Sequence, residues 1–494
     1  MSKVEEANRI SNDTTVNNQN PSSHYQWKGA KLSSFSLIFL LALCAWQISP
    51  PSGLSTQAWH LFIIFLTTII GVIAKPMPMG AISILAIVAC VLTKSLTIEK
   101  GLSSFSSPIV WLIVSAFLIA KGFIKTGLGA RISYYLIMFM GRSTIGLSYG
   151  FIISELLLAP FIPSNTARGA GVIFPVLTSL SNEYQSYPNT PSRRRIGAYL
   201  IKVCFQTNVI TSAMFITAMA ANPLIVSIAA DMGYEITWIT WALASLVPGL
   251  FCLAILPFVF YFIYPPEIKS TPEAPLIAKS RLEELGKIKV DEILMLCTFG
   301  ILLTLWIFGP IVGVEATSTA LFGLSILLFS GVLSWEDIIS EKEAWNTFIW
   351  LSVLLSMVKG LSDLGAISWF SNHIKGAVSD MDWITALVLL AAIYYYTHYL
   401  FASMTSHISS LFSAFTIVVI ASGAPALPTI LIFAAISSLS AGLTHFGTGT
   451  APVYFSSGYV TLKEWWKLGG IMSIIHISVW LIVGFWWWKI IGIW

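Results

Sequence analysis

Apolar residues fill this chain in long blocks that carry neither a one-sided helical stripe nor strict alternation. They lie at 32–48, 59–74, 80–96, 107–140, 196–230, 236–264, 292–314, 318–333, 345–374, 427–455 and 470–494. A membrane-crossing helix needs about 20 mostly apolar residues, and blocks apolar on every side are what lipid or a buried core accepts. The pattern predicts an all-α polytopic membrane protein of about 11 transmembrane helices.

Two further blocks do not fit as simple crossings. The run 143–161 meets a polar, glycine-punctuated turn, Pro163-Ser164-Asn165-Thr166-Ala167-Arg168-Gly169-Ala170-Gly171, and resumes at 172–180. The run 384–401 likewise meets Ser403-Met404-Thr405-Ser406-His407-Ile408-Ser409-Ser410 before 411–421. Irregular polar backbone is tolerated at membrane depth only where protein or water satisfies its N–H and C=O groups. Each block therefore reads as a re-entrant hairpin, at 143–181 and 383–422.

The two hairpins sit in a repeat. Ile109-Val110-Trp111 leads to Lys121-Gly122, as Phe348-Ile349-Trp350 leads to Lys359-Gly360, and the same offset carries the first hairpin tip close to the second. Two more polar breaks correspond, at 211–223 and 444–452. Paired breaks of this kind are the mark of inverted-repeat carriers, whose sites form where broken helices meet. The expected organisation is a disordered cytoplasmic tail (1–30), a first repeat (31–265), a cytoplasmic linker (266–290) and a second, inverted repeat (291–494).

Composition agrees. The chain has 494 residues, of which 56% are hydrophobic and 10% charged, far from the balance of soluble domains. Many of its 19 tryptophans stand near segment ends, as interfacial belts require. The net charge of +4 belongs to loops and implies no nucleic-acid partner. Arg193, Arg194 and Arg195, with the lysines of 265–291, mark cytoplasmic loops by the positive-inside rule, which places the N-terminus inside and the C-terminus on the periplasmic side. The five cysteines stand singly and read as free thiols.

The candidate substrate-binding residues are Ser164, Asn165, Thr166 and Arg168 at the first tip, Thr405, Ser406 and His407 at the second, and His445, Thr448 and Thr450 in the last break. Small neighbours let backbone amides approach an anion, and helix ends there would present positive dipole. Arg168 has two readings: a bidentate grip on a carboxylate, or a structural pair with Glu155 on the facing arm. Imidazoles at 407 and 445 would donate to carboxylate oxygens, while His398 reads as packing. No His-Glu-x-x-His motif or paired cysteine supports a metalloenzyme, and no enzymatic activity is expected.

Pro163-Ser164-Asn165-Thr166 resembles the first Ser-Asn-Thr signature of the divalent anion:sodium symporter family, which carries di- and tricarboxylates. The longer run through Gly171, the Ser406-His407-Ile408 triplet and Thr444-His445-Phe446-Gly447-Thr448-Gly449-Thr450-Ala451-Pro452 look like its branch of 2-oxoglutarate/malate translocators and citrate/succinate antiporters. The resemblance covers the chain after residue 30. It implies that both tips and two unwound loops, around 211–217 and 447–450, hold the substrate carboxylates and, in symporters, sodium, and that the protein is a homodimer. Here the chain departs from the family: His407 stands where a sodium-coupling Asn belongs and Ile408 replaces Thr, so sodium, if used, is left with Ser164 and Asn165. No other cofactor is expected. The implied activity is exchange of malate, 2-oxoglutarate, succinate or fumarate, with citrate in the same class, across a bacterial inner membrane by alternating access. Sodium-coupled dicarboxylate symport is the alternative.

Overall fold

The structure, a computed structural model, describes residues 29–366, 368–369 and 381–494. The expected N-terminal tail therefore lies almost wholly outside the described residues, as does the end of the 345–374 block. Among the described residues the chain is helical and forms no β-strand. Among the described residues, eight helices are long and apolar enough to cross a membrane by length and composition. The reason is the one the apolar blocks supply: in hydrocarbon a helix satisfies its own backbone.

The first half opens with α1 (Leu32–Trp46), α2 (Thr56–Ala74) and α3 (Met79–Leu92). The block at 107–140 is two helices rather than one, α4 (Pro108–Thr126) and α5 (Leu128–Met140). Gly127 divides them at φ +75°, a conformation that costs glycine little and other residues more. The first hairpin follows as α6 (Thr144–Leu158), an irregular tip, a π-helical turn (Ala167–Ile173) and α7 (Phe174–Glu183). The next block breaks into α8 (Gly197–Met214) and α9 (Asn222–Asp231), and α10 (Trp238–Ile263) closes the half.

Helix α10 keeps two prolines, Pro248 and Pro257, inside its run. A proline at 248 cannot donate to the carbonyl four residues back, and that carbonyl, Ala244 O, accepts from the Trp488 indole at 2.8 Å. Trp488, expected from its place near a segment end to sit in an interfacial belt, thus serves as an internal clasp.

The expected linker is partly helical. Helix α11 (Ala274–Leu285) buries Ala274, Ala278 and Leu282, one face at four-residue spacing, and packs on α5. Arg131 of α5 ties it down by donating to Gly286 O (3.0 Å) and to Glu292 (2.6 Å).

The second half repeats the order: α12 (Val290–Phe308), α13 (Ala316–Phe329) and α14 (Lys342–Asp363), then a second hairpin of α15 (Trp383–Thr397) and α16 (Met404–Ala421). A second broken helix comprises α17 (Ala426–Leu439) and α18 (Thr450–Ser456), and α19 starts at Leu462 and runs to Val479 before a π-helical turn. It begins earlier than the apolar block at 470 because Thr461 and Glu464 form a capping box, which initiates a helix regardless of hydropathy. The polar run at 403–410 also differs from expectation. It is not an irregular tip but the first turns of α16, where Ser410 Oγ donates to Ser406 O at 2.6 Å, as hydroxyls in apolar helices commonly do.

Candidate substrate site

Both hairpin tips and both helix breaks converge on one cavity of about 310 Å³. Ser164 and Asn165 come from the first tip, Ser403 and Thr405 from the second, Met219 to Ala221 from the first break, and Thr448 and Gly449 from the second. A fifth wall comes from α14, where Glu343, Asn346, Thr347 and Trp350 face the same space.

A helix starts beside it at each tip. Ser164 Oγ accepts from Ala167 N (3.1 Å) and Ser164 O accepts from Arg168 N (3.0 Å), so the descending arm starts its helix at the cavity wall. Helix α16 starts beside Ser403 in the same way. Unpaired N–H groups and dipole at two such starts favour an anion between them. Among the lining residues Glu343 is the one charged group, and none is Lys or Arg.

The two halves are tied across this space. Asn165 Nδ2 donates to Thr448 Oγ1 at 2.7 Å, and the buried Asn208 Nδ2 donates to Asn165 O at 3.0 Å. Tyr454 Oη donates to Gly169 O at 3.0 Å. Close approach needs glycine at two points. A Cβ on Gly169 would lie 2.9 Å from both Asn208 Nδ2 and Thr450 Cγ2, and one on Gly449 would lie 2.4 Å from Thr166 Oγ1.

Of the expected site residues, Ser164, Asn165, Thr405 and Thr448 line the cavity. Thr166 sits behind them against Gly449, and buried Thr450 packs its methyl over Gly169. Arg168 takes the structural one of its two readings. It is 0% exposed and spends its five donors on Glu155 Oε1 (2.5 Å), Ile162 O (2.7 Å), Ala218 O (3.0 Å), Ser212 Oγ (3.1 Å) and Thr211 Oγ1 (3.4 Å). It therefore locks the first hairpin to the first helix break and leaves no N–H for a ligand.

The histidines also stand apart from the cavity. His407 is buried, with its ring against Tyr394, His398 and Phe401 and its Nε2 3.0 Å from Thr397 Oγ1. That hydroxyl already donates to Tyr394 O (2.7 Å), so Nε2 of His407 is the donor. His445 packs on Phe455 and accepts from the Trp466 indole at 3.3 Å. His398, read as packing, has a specific bond: its Nε2 donates to Gly447 O at 2.9 Å, fastening the second tip to the second break. Ser406 opens into a neighbouring cavity.

Glu343, Asn346 and Thr347 were not anticipated. Their signal was present as a polar stripe at i, i+3 and i+4, with Trp350 at i+7, on the start of an otherwise apolar helix. The apolar block at 345–374 leaves out only Glu343, because the helix starts at Lys342; Asn346 and Thr347 lie inside the block, where two polar residues among apolar ones do not by themselves mark a site.

Paired broken helices and hairpins that meet at a polar cavity inside an apolar helical bundle define a secondary membrane transporter. The chain belongs to the family described as "Sodium:sulfate symporter transmembrane region", whose sequence profile matches residues 30–494, in keeping with the motifs at Pro163 to Gly171. It is 52% identical over 465 residues to "Putative malate transporter YflS" of Bacillus subtilis (strain 168), covering 94% of this chain and 97% of that one. It is 42% identical over 471 residues to dicarboxylate transporter 1, chloroplastic, of Spinacia oleracea (95% and 83%). With the citrate/succinate antiporter of Escherichia coli (strain K12) it shares 35% over 470 residues (90% and 95%). The fold is similar to the crystal structure of the Alcanivorax borkumensis YdaH transporter, with a TM-score of 0.55 at 12% identity over 81% of this chain and 89% of that one.

Proposed function

We propose that this transporter exchanges C4 and C5 dicarboxylates, malate, 2-oxoglutarate, succinate or fumarate, with citrate as a related cargo. The observation that carries the reading is the cavity between the two tips. One carboxylate would take Ser164, Asn165 and the amides opening the arm after the first tip; the other would take Thr405, Thr448 and the amides opening α16. Taking two charges out of water costs several kcal/mol per ion, and these preorganised donors offset that cost. The relatives named for dicarboxylates and for citrate/succinate antiport support the substrate class. Transport follows when the hairpins and broken helices move as a body against the scaffold helices. A carrier whose donors stay bare when empty crosses poorly without cargo, and that makes exchange obligatory. In this reading the chain works in a bacterial inner membrane as a homodimer, with its N-terminus cytoplasmic and its C-terminus periplasmic.

Sodium symport is the second reading, and one observation favours it: no Lys or Arg lines the cavity, so a cation bound at Ser164 and Asn165 would offset one of the dianion's two charges. Uptake of labelled malate into proteoliposomes decides between the two when internal dicarboxylate and external sodium are varied independently. Exchange requires uptake that needs internal dicarboxylate and ignores sodium. Uptake into empty vesicles driven by inward sodium overturns it.

A further inference from the structure

A second cavity, of about 450 Å³, adjoins the first and shares Met79 and Ser403 with it. Its walls come from two parts of the molecule that the proposed transport cycle would move apart. The turn between α2 and α3 and the start of α1 supply one wall, and Ser403 and Ser406 of the second hairpin supply the other. Its charged lining residues are Lys31 and Lys75.

The backbone fixes these two lysines together. Lys31 N donates to Pro76 O at 2.9 Å, and Lys75 N caps α2 by donating to Gly71 O at 2.9 Å. Lys75 holds φ +51° and ψ +50°, a left-handed conformation that glycine or asparagine adopts more cheaply. A long cationic side chain at such a position is an observed outlier that asks for a role. Neither lysine has a carboxylate partner among the described residues. The Ser406 hydroxyl, facing the same space, makes no hydrogen bond to another described group, although its carbonyl accepts two.

We infer that this vestibule is an outer binding subsite for dicarboxylate dianions, in which Lys31 and Lys75 hold one or both carboxylates and Ser406 donates to them. The inference rests on the dicarboxylate reading of the inner cavity. Two lysines lining a concave, partly apolar mouth concentrate anions locally and speed their capture. The inner cavity lacks a cationic side chain, so the vestibule supplies the attraction that it does not. A dianion held there is one side-chain layer, Met79 and Ser403, from the inner site. The lysines' ordinary use would be to reach lipid phosphates at the membrane surface, and the test separates that use from the one inferred.

Succinate is titrated calorimetrically into the full-length protein in nanodiscs, in purely zwitterionic lipid and in lipid containing phosphatidylglycerol. Two binding events per chain are expected in both. Lys31→Gln with Lys75→Gln removes the weaker event, Lys31→Arg with Lys75→Arg retains it, and Asn165→Ala removes the tighter one alone. In proteoliposomes at low salt, the double Gln variant raises KM about three- to tenfold from the face bearing the α2–α3 turn, with kcat and the opposite-face KM unchanged. A single wild-type event that Asn165→Ala removes overturns the inference, as does a second event that survives the double Gln variant. A second event seen only in zwitterionic lipid assigns the lysines to phosphate headgroups and overturns it too. A single wild-type event that Asn165→Ala leaves and the double Gln variant removes would instead refute the dicarboxylate reading of the inner cavity.

Discussion

Arg168 decides whether the first tip is braced from inside or grips its cargo with a charge. Replacing it by Met removes five donors from five acceptors, all within 3.4 Å, and leaves Glu155, itself 1% exposed, with only the amide of Asn208 at 2.6 Å. Breaking a buried ion pair by removing one partner costs about 3–5 kcal/mol, because a desolvated charge is stranded. At about 1.4 kcal/mol per decade, the folded-to-unfolded ratio falls by roughly two to three and a half orders of magnitude. Arg168→Lys fares little better, since an ammonium has three donors and cannot reproduce the planar fork. Glu155→Gln combined with Arg168→Met removes both charges and should recover a large part of the loss. The assay is thermal unfolding of purified protein with malate added in a parallel series. The single variants should show a large fall in Tm in the absence of malate, partly restored in the double variant. A singly substituted protein with wild-type Tm that has merely lost its stabilisation by malate would refute the structural role and return Arg168 to the substrate.

Gly449→Ala places a methyl carbon 2.4 Å from Thr166 Oγ1, an overpacking cost of about 1–3 kcal/mol. Exchange should fall about tenfold or more in protein that still folds, and Thr166→Ala in the same chain should restore part of it in the vesicle assay. Glu343→Gln removes the one negative charge lining the cavity. The third carboxylate of citrate is repelled by that charge, so the ratio of citrate to succinate uptake should rise about three- to tenfold, more at low salt; an unchanged ratio would place Glu343 outside the reach of the cargo. Asp337 lies in the short helix Trp335–Ser340, where the Lys125 ammonium at 2.6 Å and then Ser334 hold its carboxyl at about 2, against an ordinary 3.8. A depressed pKa stabilises the fold above the ordinary value, and the contribution disappears as pH falls through the lowered one. The Tm difference between wild type and Asp337→Asn should therefore be constant above pH 3.8 and shrink as the pH approaches 2; a difference growing in that window would refute the pairing.

Much of this protein was written in one dimension. Long apolar blocks determine helices because lipid offers the backbone no partner, and the same rule exposes the four polar breaks as places where backbone is satisfied by something other than lipid. The run Pro163 to Gly171 marked itself as a hairpin tip, since a polar, glycine-punctuated turn between apolar arms is tolerated at that depth only where protein or water satisfies its backbone. What the linear pattern could not decide is which way a polar side chain turns once its helix is packed. Ser406 and His407 are neighbours on α16, yet one faces a cavity and the other is sealed among Tyr394, His398 and Phe401. Arg168 stands inside the signature but was claimed by Glu155 and two backbone carbonyls, because a buried guanidinium must satisfy all its donors and the nearest acceptors were protein. Asn165 and Thr448 are 283 residues apart and 2.7 Å from each other, and Glu343 reaches the cavity only because α14 packs beside it. Periodicity reports burial and solvent along one segment; the pairing of segments, and so the final membership of the site, is decided by side-chain contacts between helices that no local pattern encodes.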